Sequence, residues 1–126
     1  MIKGRLIERN KMKEISEEQL YSYFLETLNF CGTFLLDRND DEIEYLIFEV
    51  FDINVRTFFY CDTLIKLLTN KRISIETYEK AERVRCLYLS TEGTDLWSIK
   101  GIRESDIWKE IFNLCDDMRR NVIIKE

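Results

Sequence analysis

From residue 16 onward, hydrophobic positions recur at three- and four-residue intervals, and most of the runs open on a short polar side chain able to cap a helix. The clearest start is Ile15-Ser16-Glu17-Glu18-Gln19-Leu20. There Ser16 can cap, Gln19 can close a capping box, and Ile15 can staple onto Leu20. Leu20, Phe24, Leu28, Cys31 and Leu35 then fall on one wide apolar face, which predicts one central helix. A second helix begins at Asn39 or Asp40, with Asp41 and Glu42 at the positive end of its dipole and Ile43, Leu46, Ile47, Val50 and Phe51 as its buried stripe. A third, about Asn54 to Thr69, buries Phe58, Cys61, Leu64, Ile65 and Leu68, pairs Asp62 with Lys66, and stops at Asn70.

Ser74 repeats the cap-and-staple arrangement between Ile73 and Tyr78. Glu76 with Lys80, and Glu79 with Arg83, stand at the favourable acid-before-base spacing. Val84 to Leu89 is short and apolar enough to be helix or strand, and we read it as helix. Gly93 and Gly101 bracket a loop with one helical turn. The last helix, Asp106 to Asn121, is capped by Ser105 and buries Ile107, Ile111, Leu114, Cys115, Met118 and Val122, with Arg119 and Arg120 suiting the negative end of its dipole. Each helix buries one stripe, so the expected fold class is all-α: an irregular bundle of about five helices.

Composition narrows this picture. With 126 residues, 45% hydrophobic and 34% charged, the chain suits a single helical domain spanning 1–126, with 1–14 a basic arm or a short extra element. That arm carries Lys3, Arg5, Arg9, Lys11 and Lys13 with no apolar region behind them, unlike a secretory signal. No apolar run is long enough to span a bilayer, so the expected location is cytoplasmic. There is no proline and there are only four glycines, which lets helices run long. The net charge of −5 opposes phosphate backbones and anionic lipid, so neither nucleic acid nor membrane is the expected partner.

Candidate chemistry is sparse. Histidine is absent, and with it the commonest general base and metal ligand. Cys31, Cys61, Cys86 and Cys115 form no C-x-x-C pair and have apolar neighbours, so they read as buried free thiols rather than nucleophiles or disulfides. Asp37, Asn39 and Asp41 alternate as in a calcium loop, but Glu42 stands where the turn needs glycine and Phe48 where a bidentate carboxylate is needed. No nucleotide-binding glycine motif occurs. Lys71, Arg72, Lys80, Arg83 and Arg85 are interleaved with Glu76, Glu79 and Glu82, which describes a solvated helix face. No catalytic residue, metal site or cofactor is therefore expected, and the chain reads as a non-enzymatic binding protein.

One surface feature stands out. From Asp37 to Asp52, seven acids face the single base Arg38. A helical wheel places Asp41, Tyr45, Phe48, Glu49 and Asp52 opposite the core stripe, giving two aromatics among carboxylates. Aromatics anchor interfaces, and surrounding charge steers a basic partner. With its size and lack of catalytic machinery, this segment resembles that of small acidic bacterial immunity proteins, which cap a co-produced toxin, often a basic nuclease. The resemblance implies inhibition of a basic toxin domain by occlusion through the acidic helix. The competing expectation is a structural or regulatory subunit of a homo- or hetero-oligomer, joined through an apolar surface such as Phe59 and Trp97. A small carboxylate enzyme is a third.

Overall fold

Capping chemistry sets the helix starts. The computed structural model describes residues 15–125, with side chains to residue 122, so the basic arm at 1–14 lies outside the described residues. Ser16 accepts from the Gln19 amide and Gln19 returns the bond, completing the capping box of α1 (Glu17–Leu28). Asn39 accepts from the Glu42 amide at 2.9 Å to open α2, which runs without a break through an α-helical start (Asp40–Glu44), a π-helical middle (Tyr45–Phe51) and an α-helical end (Asp52–Phe58). After α3 (Cys61–Thr69), Ser74 caps α4 (Ile75–Thr91), Ser98 caps α5 (Ile99–Glu104), and Ser105 caps α6 (Asp106–Lys125) by accepting from the Trp108 amide. These six helices and a 3-10 turn (Thr33–Asp37) are all the regular structure among the described residues, and the class is all-α.

One helix end, one helix start and the buried stripe of α2 depart from the sequence expectation. The first helix ends at Leu28 rather than running on through Leu35. Arg119, reaching over from α6, bonds the carbonyls of Leu28 and Cys31, which closes α1 and turns the chain. Leu20, Phe24, Leu28, Cys31 and Leu35 are nonetheless all buried, so the face persists across the break. The most extensive packing joins α4 to α6, not α1 to its neighbours. The third helix starts at Cys61, after a break at Phe59 and Tyr60. Its buried side is accordingly Leu64 and Leu67, while Ile65, expected inside, is exposed.

The π-helical segment explains the third departure. In α2 and at its C-cap the fully buried positions are Ile43, Ile47, Phe51, Val55 and Phe59, every fourth residue, whereas Leu46 and Val50 are only half-buried. A four-residue spacing drifts forward by about 40° per step in an α-helix; the wider π turn reverses that drift and keeps one stripe on the core. α4 shows the ordinary alternation, with Thr77, Ala81, Val84, Tyr88 and Thr91 inward, and Val84 to Leu89 is helical.

The expected pairs along α4 give way to pairs between helices. Lys80 meets Asp117 at 3.8 Å and Arg83 meets Glu110 at 2.8 Å, because α4 lies against α6. Arg119 does not end α6 but serves the α1 carbonyls. Two thiols also depart from expectation: Cys31 and Cys115 are buried, but Cys61 is half-buried and Cys86 exposed. Apolar neighbours in sequence point about 100° away on a helix and report little about the residue between them.

At the centre, aromatic rings form a continuous network. Tyr88 packs edge-on against Phe51, Trp97 and Trp108, and Phe51 continues to Phe59 and Phe24. The Trp108 indole donates to the Leu96 carbonyl at 2.8 Å, which fixes the loop before α5. No helix among the described residues is long and apolar enough to cross a membrane.

Candidate functional site: the acidic ridge of α2

The five residues singled out in sequence separate into an outer and an inner group. Asp41 and Glu49 are exposed, and Tyr45 between them is 55% exposed. Phe48 is half-buried, its ring tilted onto Trp97 with centroids 4.7 Å apart. Asp52 turns toward the core, where Oδ1 accepts from the Tyr88 hydroxyl at 2.6 Å and from Arg56 Nε at 3.0 Å. The structure therefore brings Asp41, Tyr45 and Glu49 together on the outside, with Phe48 and Asp52 behind them. The wheel had put all five outward because it assumed an α-helical period through the π turn.

The charge distribution around Tyr45 is one-sided. Arg38 is held by Glu42 at 3.2 Å, and Arg103 by Asp40 at 2.9 Å together with the carbonyls of Leu36 and Arg38. Arg56 is shared between Asp52 and Glu92. The neighbouring bases are thus engaged, while the exposed carboxylates Asp37, Asp41, Glu44 and Glu49 have no basic partner among the described residues. Sequence reading did not single out Asp37 and Glu44 as contacts, although they carry the same signal. Exposed like charges on one helix repel one another, a cost that an oppositely charged partner removes.

The local fold also accounts for the calcium-like spacing. Asn39 is spent on capping α2, and Asp40 and Glu42 on arginines. A shallow depression between Asn39, Asp40, Asp41 and Arg103 flanks the ridge. A somewhat roomier concavity than this depression lies elsewhere, against Asp95, Leu96, Lys100, Gly101, Glu104 and Ser105, and none of the five ridge residues lines it.

No family model, curated protein or solved structure matches this chain.

Four of the five basic residues of the middle stretch are engaged within the molecule. Arg72 lies over the Tyr21 ring and reaches Glu17 and Glu18, while Lys80, Arg83 and Arg85 meet Asp117, Glu110 and Glu82. Phe59 is fully buried, and Trp97 is half-buried with its ring against Phe48 and Tyr88, so these two residues do not form the open apolar surface expected in sequence. Burial, then the acceptor Asp52, raise the Tyr88 phenol well above its ordinary range and keep it a neutral donor.

Proposed function

We propose that this protein acts without catalysis, as an immunity or antitoxin-like inhibitor that occludes a basic bacterial toxin domain through the outer face of α2. One observation carries this reading: Asp41 and Glu49, exposed and without a basic partner among the described residues, stand four residues to either side of the exposed Tyr45 on α2. Asp41 and Glu49 supply the steering field and Tyr45 the anchor, and Phe48 and Asp52 hold the helix that presents them. A basic cleft is blocked by this ridge without any covalent step.

The test uses the protein encoded beside this one as the candidate toxin, with binding followed by stopped-flow and biosensor measurements. Asp41→Lys with Glu49→Lys should slow association, flatten its salt dependence and leave the helical signal unchanged. Tyr45→Ala should chiefly speed dissociation. Association and salt dependence identical to those of the unaltered protein would remove the mechanism.

A further inference from the structure

The described residues begin inside a groove. Ile15, 36% exposed, lines it together with Leu20 of α1, Thr57 and Phe58 at the end of α2, and Asp62 and Lys66 of α3. The Thr63 hydroxyl donates to the Thr57 carbonyl at 2.9 Å and joins α2 to α3 there, while Tyr23 packs on the Phe58 ring. One turn before Thr57 stands Ile53, 64% exposed, whose carbonyl accepts from the Thr57 hydroxyl at 2.9 Å. Thr57, Ile53 and Glu49, each four residues from the next and all exposed, therefore carry the groove outward along α2.

The surroundings are more acidic than basic. Asp62 and Glu49 are exposed and have no basic partner among the described residues. Arg56 is already shared between Asp52 and Glu92, which leaves Lys66 as the one base lining the groove among those residues. The chain immediately before Ile15 has the opposite character. Residues 1–14 hold five bases and only Glu8 and Glu14 as acids, a net of +3, which leaves −8 on residues 15–126 of a chain whose total is −5. The same stretch carries Ile2, Leu6 and Ile7.

We infer that residues 1–14 dock on this face of their own chain, from the groove at Thr57 past Ile53 to Glu49. Their aliphatic side chains cover Ile53 and the groove, and their lysines and arginines meet Asp62 and Glu49. Reach is no obstacle. Thr57 to Glu49 is eight helical residues, about 12 Å, whereas fourteen extended residues span up to about 46 Å. Attachment at Ile15 also makes the contact intramolecular, with an effective concentration on the order of millimolar that a separate partner must exceed. A second copy of the chain would bring its own excess of acid to the same place. The docking does not depend on the inhibitor reading; where both hold, residues 1–14 compete with the basic partner at Glu49.

The experiment is zero-length carbodiimide coupling of the full chain at low salt, with the linked peptides mapped by mass. Amide links are expected from Lys3, Lys11 or Lys13 to Glu49 or Asp62, in preference to the exposed Asp95 and Glu104 beside α5, and within one chain in isotope-mixed samples. Leu6→Ser with Ile7→Ser keeps every charge and should lower the yield of those links about tenfold, the worth of one partly buried aliphatic side chain. The helical signal should not change. Absence of the links, links spread over all exposed carboxylates, links between chains, or full yield in the Leu6 and Ile7 variant would each overturn the docking. Mapping of the unaltered chain decides the matter should the variant fail to fold, and no toxin enters the measurement.

Discussion

The Tyr88 hydroxyl donates a 2.6 Å hydrogen bond to Asp52 Oδ1, tying the innermost ring of α4 to the inner side of the ridge helix. Tyr88 is fully buried, and its hydroxyl therefore depends on this acceptor. Asp52→Ala strands a buried donor and should lower stability by about 1–3 kcal/mol. Tyr88→Phe removes the donor but leaves Asp52 paired with Arg56, and should cost less. Since both changes sever the same bond, the double variant should lose less than the sum of the singles. Urea unfolding of the four proteins checks this, and additive losses would show that the bond contributes nothing.

The same phenol predicts a limit at alkaline pH. Burial first, and then Asp52, raise its pKa in the folded chain above the ordinary 10.0. Below that value both states hold the proton, and the contribution to stability is complete. As pH climbs past it, only the unfolded chain releases the proton, so stability falls by up to about 1.4 kcal/mol per pH unit. Unfolding midpoints of the unaltered protein and Tyr88→Phe should converge between pH 9 and about 11, since the variant has no such proton to lose. Parallel curves would refute this.

Capping residues were the most legible part of the sequence. Ser16, Ser74 and Ser105 are the caps that the sequence indicates, and Asn39 is one of the two it offers with Asp40, because a cap is satisfied within four residues. The break at Phe59 and Tyr60 was not legible, since Tyr60 opens α3 with no side-chain cap. Nor was the end of α1, which depends on Arg119 some ninety residues away. The outward placement of Asp41, Tyr45 and Glu49 followed from simple periodicity. That of Phe48 and Asp52 did not, because the π turn shifts the phase between them. Ion pairs were misread in α4 for a related reason: the partner helix is unknown to a one-dimensional pattern.

The exit from α3 offers a stabilising change. Arg72 donates to the Leu67 carbonyl at 2.9 Å and Lys71 to that of Leu68 at 3.0 Å, the two bonds of a Schellman motif. Lys71 holds the left-handed position with φ 63°, where glycine has no side-chain penalty. Lys71→Gly should therefore raise stability, by up to about 1 kcal/mol after the added freedom of the unfolded chain is subtracted. A lower urea midpoint in the variant would contradict this.

Thiol reactivity should follow exposure rather than sequence context. Cys86 is open to solvent, whereas Cys31 and Cys115 have none of their surface exposed. Burial raises the Cys31 thiol well above the ordinary range, reinforced by Cys115 beside it, and so suppresses the thiolate that attacks disulfide reagents. An aromatic disulfide reagent at neutral pH should label Cys86 first and Cys61 more slowly, and should reach Cys31 and Cys115 only at the rate of opening. Mass mapping in a urea series distinguishes the classes, and equal labelling of Cys31 and Cys86 in native buffer would show the core to be open there.

Gly101 should be the least replaceable glycine among the described residues. A Cβ there would overlap the Leu96 carbonyl oxygen and come within 2.7 Å of the Leu96 carbonyl carbon and Cα. These are backbone atoms, and the same carbonyl accepts the Trp108 indole, so the loop cannot retreat without loosening a ring at the centre of the core. Gly32 is also crowded, with Arg119 Nη2 and Asp116 Oδ1 each 2.5 Å from a Cβ, but those are side-chain ends. Gly101→Ala should cost about 1–3 kcal/mol, the usual range for overpacking, and should exceed the cost of Gly32→Ala. It should also shift the tryptophan emission, because the Trp108 bond lengthens. Equal midpoints for the two variants would mean that α5 adjusts independently of Trp108, leaving the loop between α4 and α5 free of the core.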